Sequence, residues 1–227
     1  MQAILPVQAF IFNLDGVLVD TGAYHFIAWK RLANSLGFDF DFEQFQALRG
    51  LSRMTSLEKI LEWGNIYLTE AEKLHLTDVK NNWYLELIKG VTPEHVLPGV
   101  LPFLNALKTS GYPIALTSSS KSAKQVLSST GLDSFFDVVV DGHAFRKTIP
   151  DPECYLLTAK LLDLAPASCL VFEDAALGVQ AAIYGGFTVI GVGSLQNLQQ
   201  AHIVLPGLES ITLDQLAGFL LHHHSVV

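Results

Sequence analysis

Positive charge is what this chain has least of. Its 14 Lys and Arg stand against 22 Asp and Glu, a formal net charge of −8 with His neutral. That balance does not attract polyanions, so neither nucleic acid nor an anionic membrane is expected as a partner. The few cations can still serve an anionic small ligand if they gather in one cleft. Long apolar runs are also missing; none approaches the ~20 residues that a membrane-spanning helix needs. The opening MQAILPVQAFIFN has no basic segment and no small-residue cleavage site. It does not read as a secretory signal, and a cytoplasmic location is expected. Cysteine is nearly absent: Cys154 and Cys169 lie in apolar segments at no metal-ligand spacing. Two reduced core thiols are expected, and no disulfide framework. What remains is a chain of 227 residues, 50% hydrophobic and 16% charged. It suffices for one large domain, or a medium domain with a small one.

The order of segments sets the fold class. Residues 7–13 form a short apolar run of the kind buried in parallel sheets. From Thr21 the spacing turns helical, with Phe26, Trp29, Leu32, Ala33 and Leu36 on one face and Gly37 as a stop. Helices are expected at 42–49, 55–64 and 69–89, the last opened by a Thr69–Glu72 capping box. Gly90, Pro93, Pro98 and Gly99 punctuate the connection that follows. Strands at 112–118, 136–141, 169–173 and 187–192 then alternate with helices at 121–131, 151–163 and 175–184. Asp151 is the expected cap of the second of these, with Pro152 in its first turn. A short helix, a short strand near Ile203 and a last helix from Thr212 complete the pattern. This is an α/β chain with a doubly wound parallel sheet. The helical block at 21–91 forms an inserted cap domain, and 1–20 with 92–227 form the core domain.

In open α/β sheets the site lies at the carboxyl ends of the strands. The polar residues there are Asn13 and Asp15, Thr117 and Ser118, Asp141, and Glu173 and Asp174. Asp15, Glu173 and Asp174 are hard oxygen donors that would repel one another unpaired. Magnesium, with Asn13 as a further oxygen ligand, resolves that repulsion. Solvated acidic loops are the plainer alternative. Ser118, followed by Ser119, Ser120 and Lys121, places a hydroxyl and backbone N–H groups at a helix start, which suits a phosphate. Ordinary capping by these serines is compatible with that role. Lys147, in RKTIPDPE, could neutralise a phosphoryl group and hold the carboxylates together; alone it would read as a surface charge. His222-His223-His224 read as a polar helix end and not as a metal site.

Taken in order, FNLDGVLVD, LTSSSK, RKTIPDPE and VFEDAALGVQAA resemble the four-motif set of the haloacid-dehalogenase-like (HAD) phosphotransferases. The resemblance implies a Rossmann-like core and phosphoryl transfer with Mg2+. It puts Asn13 at the nucleophile position, Asp15 as general acid and base with its carbonyl on magnesium, Ser118 and Lys147 on the phosphoryl oxygens, and Glu173 and Asp174 as metal ligands. Within the superfamily, TGAYHFIAWKRLA, Arg49-Gly50-Leu51-Ser52-Arg53 and Lys80-Asn81-Asn82 resemble the cap of the β-phosphoglucomutase family. That likeness implies a glucose phosphate as substrate and partner; a monomer is expected. His25 would orient Asp15, and Arg53 would grip the non-transferring phosphate with its planar fork. Trp29, Gly50, Lys80, Ser119, Ser120 and Lys121 would line the sugar site. A sugar-phosphate phosphatase on the same core is the alternative.

The departure from the pattern is Asn13, where the family has an aspartate. An amide forms no stable acyl phosphate, removes one charge from the metal shell, and adds N–H donors. Losing an essential nucleophile costs many orders of magnitude in rate, about 10⁶ in a well-studied hydrolase. The chain is therefore expected to bind its ligand with little or no turnover. Two origins stand open: a nucleophile Asp-to-Asn variant of an active enzyme, which the otherwise intact site favours, or a natural non-catalytic sugar-phosphate-binding relative.

Overall fold

The computed structural model describes residues 7–209 and 211–224, with side chains to Leu221. The first six residues and the side chains of His222-His223-His224 lie outside that description.

Three strands come first in the core. β1 (Ala9–Phe12), β2 (Ile114–Thr117) and β3 (Val138–Val140) are followed by β4 (Cys169–Glu173), β5 (Thr188–Val192) and β6 (Ile203–Leu205). All pair in parallel, in the order β3-β2-β1-β4-β5-β6. The chain builds outward from β1 to β3, then returns to the far side of β1 and builds outward again. The reversal falls between β1 and β4, and such a switch point opens a crevice at the carboxyl ends of the strands. Residue pairing fixes what meets there. Phe12 lies level with Leu116 on one side and Phe172 on the other. The next residues of the three strands are therefore Asn13, Thr117 and Glu173.

Strand alternation sorts the core into two layers. Phe10, Phe12, Leu116, Leu170 and Phe172 face one side. There they meet α5 (Val100–Thr109), α6 (Ala123–Thr130) and α9 (Leu213–His224). Phe12 stacks on Phe172 with ring centroids 4.7 Å apart. Ala9, Ile11, Ala115 and Val171 face the other side, against α7 (Glu153–Leu161) and α8 (Ala176–Tyr184). Cys154 and Cys169 are buried free thiols in that layer.

Between β1 and α5 lie α1 (Gly22–Ser35), α2 (Phe42–Gln46), α3 (Arg53–Trp63) and α4 (Glu70–Ile88). Trp29, Leu32, Ala33, Phe40, Phe45, Leu48, Leu57, Ile60 and Leu61 form a separate hydrophobic cluster among them. The capping box at Thr69 and Glu72 is present. Three expectations change. The helix expected at 55–64 begins earlier, because the Ser52 hydroxyl accepts from the N–H of Thr55 and caps it. Pro152 takes the N-cap position of α7, while Asp151 accepts from the N–H of Glu153. The short helix expected after β5 is a series of turns.

Candidate active site

Four buried or nearly buried polar side chains form the floor of the cleft. The N–H of Asn13 donates to the Phe172 carbonyl at 2.9 Å, continuing the β1–β4 ladder by one residue. Its side-chain nitrogen donates to the Asp15 carbonyl at 3.1 Å and to Asp174 Oδ1 at 2.9 Å. Both partners are pure acceptors, so the amide nitrogen must face them. The second oxygen of Asp174 takes an ion pair from Arg49. Asp15 accepts from the hydroxyl of the fully buried Thr21. Both oxygens of Glu173 are also engaged, by the Tyr155 hydroxyl at 3.0 Å and the N–H of Ala175 at 2.6 Å. Gly16 follows Asp15 at φ +75°, where a Cβ would run into the Asp174 carboxylate and the Arg49 guanidinium.

Burial dominates the electrostatics of this floor. It pushes Asp15 up to about 7, with Asp174 adding repulsion and Arg49 pulling the other way. Glu173 is pushed up to about 8 by burial and then by Asp174. Burial also raises Asp174, opposed by Arg49 and by the Asn13 hydrogen bond. Like-charged carboxylates held this close in low dielectric call for a cation or a proton.

The loop after β2 carries the serines. Ser118 is buried, and its N–H donates to the Val140 carbonyl at 2.9 Å. Its hydroxyl accepts from the N–H of Ser120 at 3.1 Å, and the Ser120 hydroxyl accepts from the N–H of Ser122 at 3.2 Å. The helix itself starts after Ser122, which makes no side-chain cap. Ser118, Ser119, Ser120 and Lys121 all line the cleft.

Lys147 stands elsewhere than at the carboxylates. It lines the cleft mouth, its side chain is 68% exposed, and its ammonium pairs with Asp151 at 3.1 Å. The cation that meets the acidic pair is Arg49, from the cap. The side chain that the 146–150 loop turns toward the cap is Ile149. Its Cδ1 lies 2.8 Å from where a Cβ on Gly50 would be, and Gly50 holds φ +81°. A glycine is needed there on both counts.

The cap supplies the roof. Lys80 is 2% exposed, with its ammonium 2.9 Å from His25 Nδ1. The same nitrogen lies 4.4 Å from the Trp29 ring centroid and 5.1 Å from that of Tyr84. His25 stacks on Tyr84 at 3.9 Å. Burial holds Lys80 well below the usual lysine range and His25 well below the usual histidine range. Asp15 is held by Thr21, and His25 instead meets Lys80 and Tyr84. Arg53, at the start of α3, lines the cleft with Lys80 and Asn81. Floor and roof enclose about 570 Å³, large enough for a small phosphorylated ligand.

Arg49, Thr21, Tyr84 and Tyr155 escaped the sequence reading. Arg49 could have been found as the second cation of RGLSR. Tyr84 could have been found four residues after Lys80, on the same face of α4. Thr21 and Tyr155 carry no local signal.

The donor set suits magnesium. Asp174 offers carboxylate oxygens, with the Asp15 carbonyl and the Asn13 amide oxygen beside them. Magnesium is ordinarily held by one or two carboxylates, with water and phosphate oxygens completing the shell. Among the described residues no group of three or more His, Cys, Asp or Glu is placed to hold a metal alone.

A six-stranded parallel sheet with an acidic cleft at its switch point, roofed by helices inserted after the first strand, defines a capped α/β phosphotransferase type. Residues 7–186 match the family model described as haloacid dehalogenase-like hydrolase, and the chain belongs to that family. A β-phosphoglucomutase of Bacillus subtilis is 39% identical over 212 residues, covering 92% of this chain and 94% of that one. A phosphorylated carbohydrates phosphatase of Thermotoga maritima is 33% identical over 183 residues, 79% of this chain and 82% of that one. The crystal structure of a β-phosphoglucomutase from Clostridium difficile superposes with a TM-score of 0.92 at 36% identity, covering 96% of this chain and 99% of that chain.

Proposed function

We propose that this chain is a sugar-phosphate phosphoryl-transfer protein of the β-phosphoglucomutase type, acting between β-glucose 1-phosphate and glucose 6-phosphate through the 1,6-bisphosphate. The observation that carries the reading is Asp15, a buried carboxyl two residues from the nucleophile position, held by the Thr21 hydroxyl and pushed up to about 7, in a cleft that Arg53 also lines. A group near neutrality both gives and takes a proton, which a sugar hydroxyl in transit requires. Asp15 would move the proton at the sugar oxygen. Ser118 and the loop N–H groups would hold the transferring phosphate, with Lys147 at the mouth. Arg53 would take the phosphate at the far end, and His25, Trp29, Gly50, Lys80, Ser119, Ser120 and Lys121 would shape the sugar site.

The Asp15 carbonyl and the Asp174 carboxylate, with the Asn13 amide oxygen, would hold Mg2+; Glu173, expected as a further ligand, has both oxygens taken by Tyr155 and Ala175 and would brace the pair from behind. When bound, that ion would neutralise phosphoryl charge. A helical cap over 21–91 would exclude water from the cleft. With an amide at position 13, the chain as it stands would bind sugar phosphate with little or no turnover, as a nucleophile Asp-to-Asn variant would. A monomer working in the cytoplasm completes the reading, and its buried free thiols suit a reducing compartment.

The test is Asn13→Asp, assayed with Mg2+, β-glucose 1-phosphate and catalytic 1,6-bisphosphate. Formation of glucose 6-phosphate is the expected result. Release of inorganic phosphate alone would favour the sugar-phosphate phosphatase reading, which the Thermotoga maritima relative supports. Binding without any gain of activity would make the chain a non-catalytic sugar-phosphate-binding relative.

A further inference from the structure

Asp174 has two oxygens, and both are taken from inside the protein. Asn13 Nδ2 donates to one at 2.9 Å, and Arg49 forms an ion pair with the other. The same Asn13 nitrogen donates to the Asp15 carbonyl at 3.1 Å. These are the oxygens a divalent cation in this cleft would use. One of their partners is fixed in the floor, because Asn13 ends β1. The other travels with the cap, because Arg49 lies between α2 and α3. The Asp174 side chain is 6% exposed and that of Arg49 is 37% exposed, so the ion pair sits at the edge of the cleft and not in open solvent.

We infer that Arg49 competes with a divalent cation for Asp174, so that closing the cap through this ion pair and binding metal oppose each other. The inference rests on the magnesium reading above. An arginine and a divalent cation on one carboxylate draw on the same single negative charge, and their own charges repel. The neutral Asn13 strengthens the effect, since an amide contributes no charge to help the cation displace the guanidinium. Linkage makes the opposition reciprocal: the factor by which Arg49 weakens the metal is the factor by which the metal loosens the Arg49 contact.

The experiment is calorimetric titration of the full chain with Mg2+ at low ionic strength, for the parent, Arg49→Gln and Arg146→Gln. Arg146 also lines the cleft and carries the same charge. It serves as a control for general electrostatics. Arg49→Gln is expected to bind Mg2+ roughly tenfold more tightly, within the usual range of coupling between sites. Arg146→Gln should stay within about twofold, as expected of an exposed and screened charge. In parallel, small-angle scattering should show saturating Mg2+ expanding the parent as the cap loosens. An unchanged affinity in Arg49→Gln, an equal gain in both variants, or no expansion of the parent overturns the competition. Absence of Mg2+ binding in all three proteins overturns the magnesium reading itself.

Discussion

Replacing Asn13 by aspartate should destabilise the metal-free protein, although it restores the residue that the chemistry needs. The Asn13 side chain donates two hydrogen bonds, one to the Asp174 carboxylate and one to the Asp15 carbonyl. A hydrogen bond to a charged acceptor contributes about 1.5–3 kcal/mol and one to a neutral acceptor about 0.5–1.5 kcal/mol. The new carboxyl group faces the same two acceptors without donors, beside carboxylates already raised by burial. Taking up a proton recovers one of the two bonds and leaves the other unmade, a loss of about 2 kcal/mol. For a chain of this size each kcal/mol moves the melting temperature by about 2–4 °C, so Asn13→Asp should melt roughly 4–8 °C lower in EDTA. Mg2+ should return most of that difference, because it converts the repulsion into ligation. Thermal unfolding by circular dichroism at about pH 7.5, with EDTA and then with Mg2+, measures both. Parent and variant melting within ~2 °C of each other without metal would refute the role given to the amide, as would equal stabilisation of both by Mg2+.

Stability of the metal-free parent should fall as pH rises. Asp15 stands at about 7 and Glu173 at about 8, above their ordinary 3.8 and 4.5, so the folded state binds these protons more tightly than the unfolded one. Their contribution is complete below about pH 4 and is lost as pH climbs through about 7 to 8, the reverse of a salt-bridged carboxylate. Calorimetry in EDTA from acid to mildly alkaline pH should show that decline; a rise over the same interval would contradict the burial assigned to these groups. Tyr155→Phe removes the hydroxyl that donates to Glu173 at 3.0 Å and leaves a buried oxygen of that carboxyl group without its partner. Urea denaturation should show a loss of about 1–3 kcal/mol, and a loss under ~0.5 kcal/mol would mean that the bond contributes nothing.

The strand ends were legible because parallel strands are written as short apolar runs, and each run here stops at a polar residue. Asn13, Thr117 and Glu173 follow directly from that rule, and the register of β1 with its neighbours brings them level, with Ser118 one residue further on. The direction of a side chain within a loop carries no such rule. Lys147 and Ile149 sit two residues apart, and the sequence does not say which turns to the cleft. The backbone turns the lysine to Asp151 and the isoleucine to Gly50. Residues 194–201 mislead for another reason. Leu198 is buried while Leu195 is 67% exposed, so a single anchor is left to hold a helix that short, and helix nucleation is costly. Tyr155 was illegible because a tyrosine on an apolar helix face reads as core, which it also is.

Asn13 differs most from an aspartate in the direction of its hydrogen bonds. Both N–H groups point down to Asp15 and Asp174, so a phosphate arriving from the cleft meets the amide oxygen, an acceptor facing an anion. Turning the amide over would present donors to the phosphate. It would also point the oxygen at two other acceptors, which is tolerable only with a cation among them. One rotation therefore couples metal and phosphate positively at position 13, while Arg49 couples metal and cap negatively at Asp174. An aspartate has no such face to turn and would accept from a cation in either orientation. The amide retains the shape of the nucleophile but gives it two unlike faces, the donor face turned to Asp15 and Asp174.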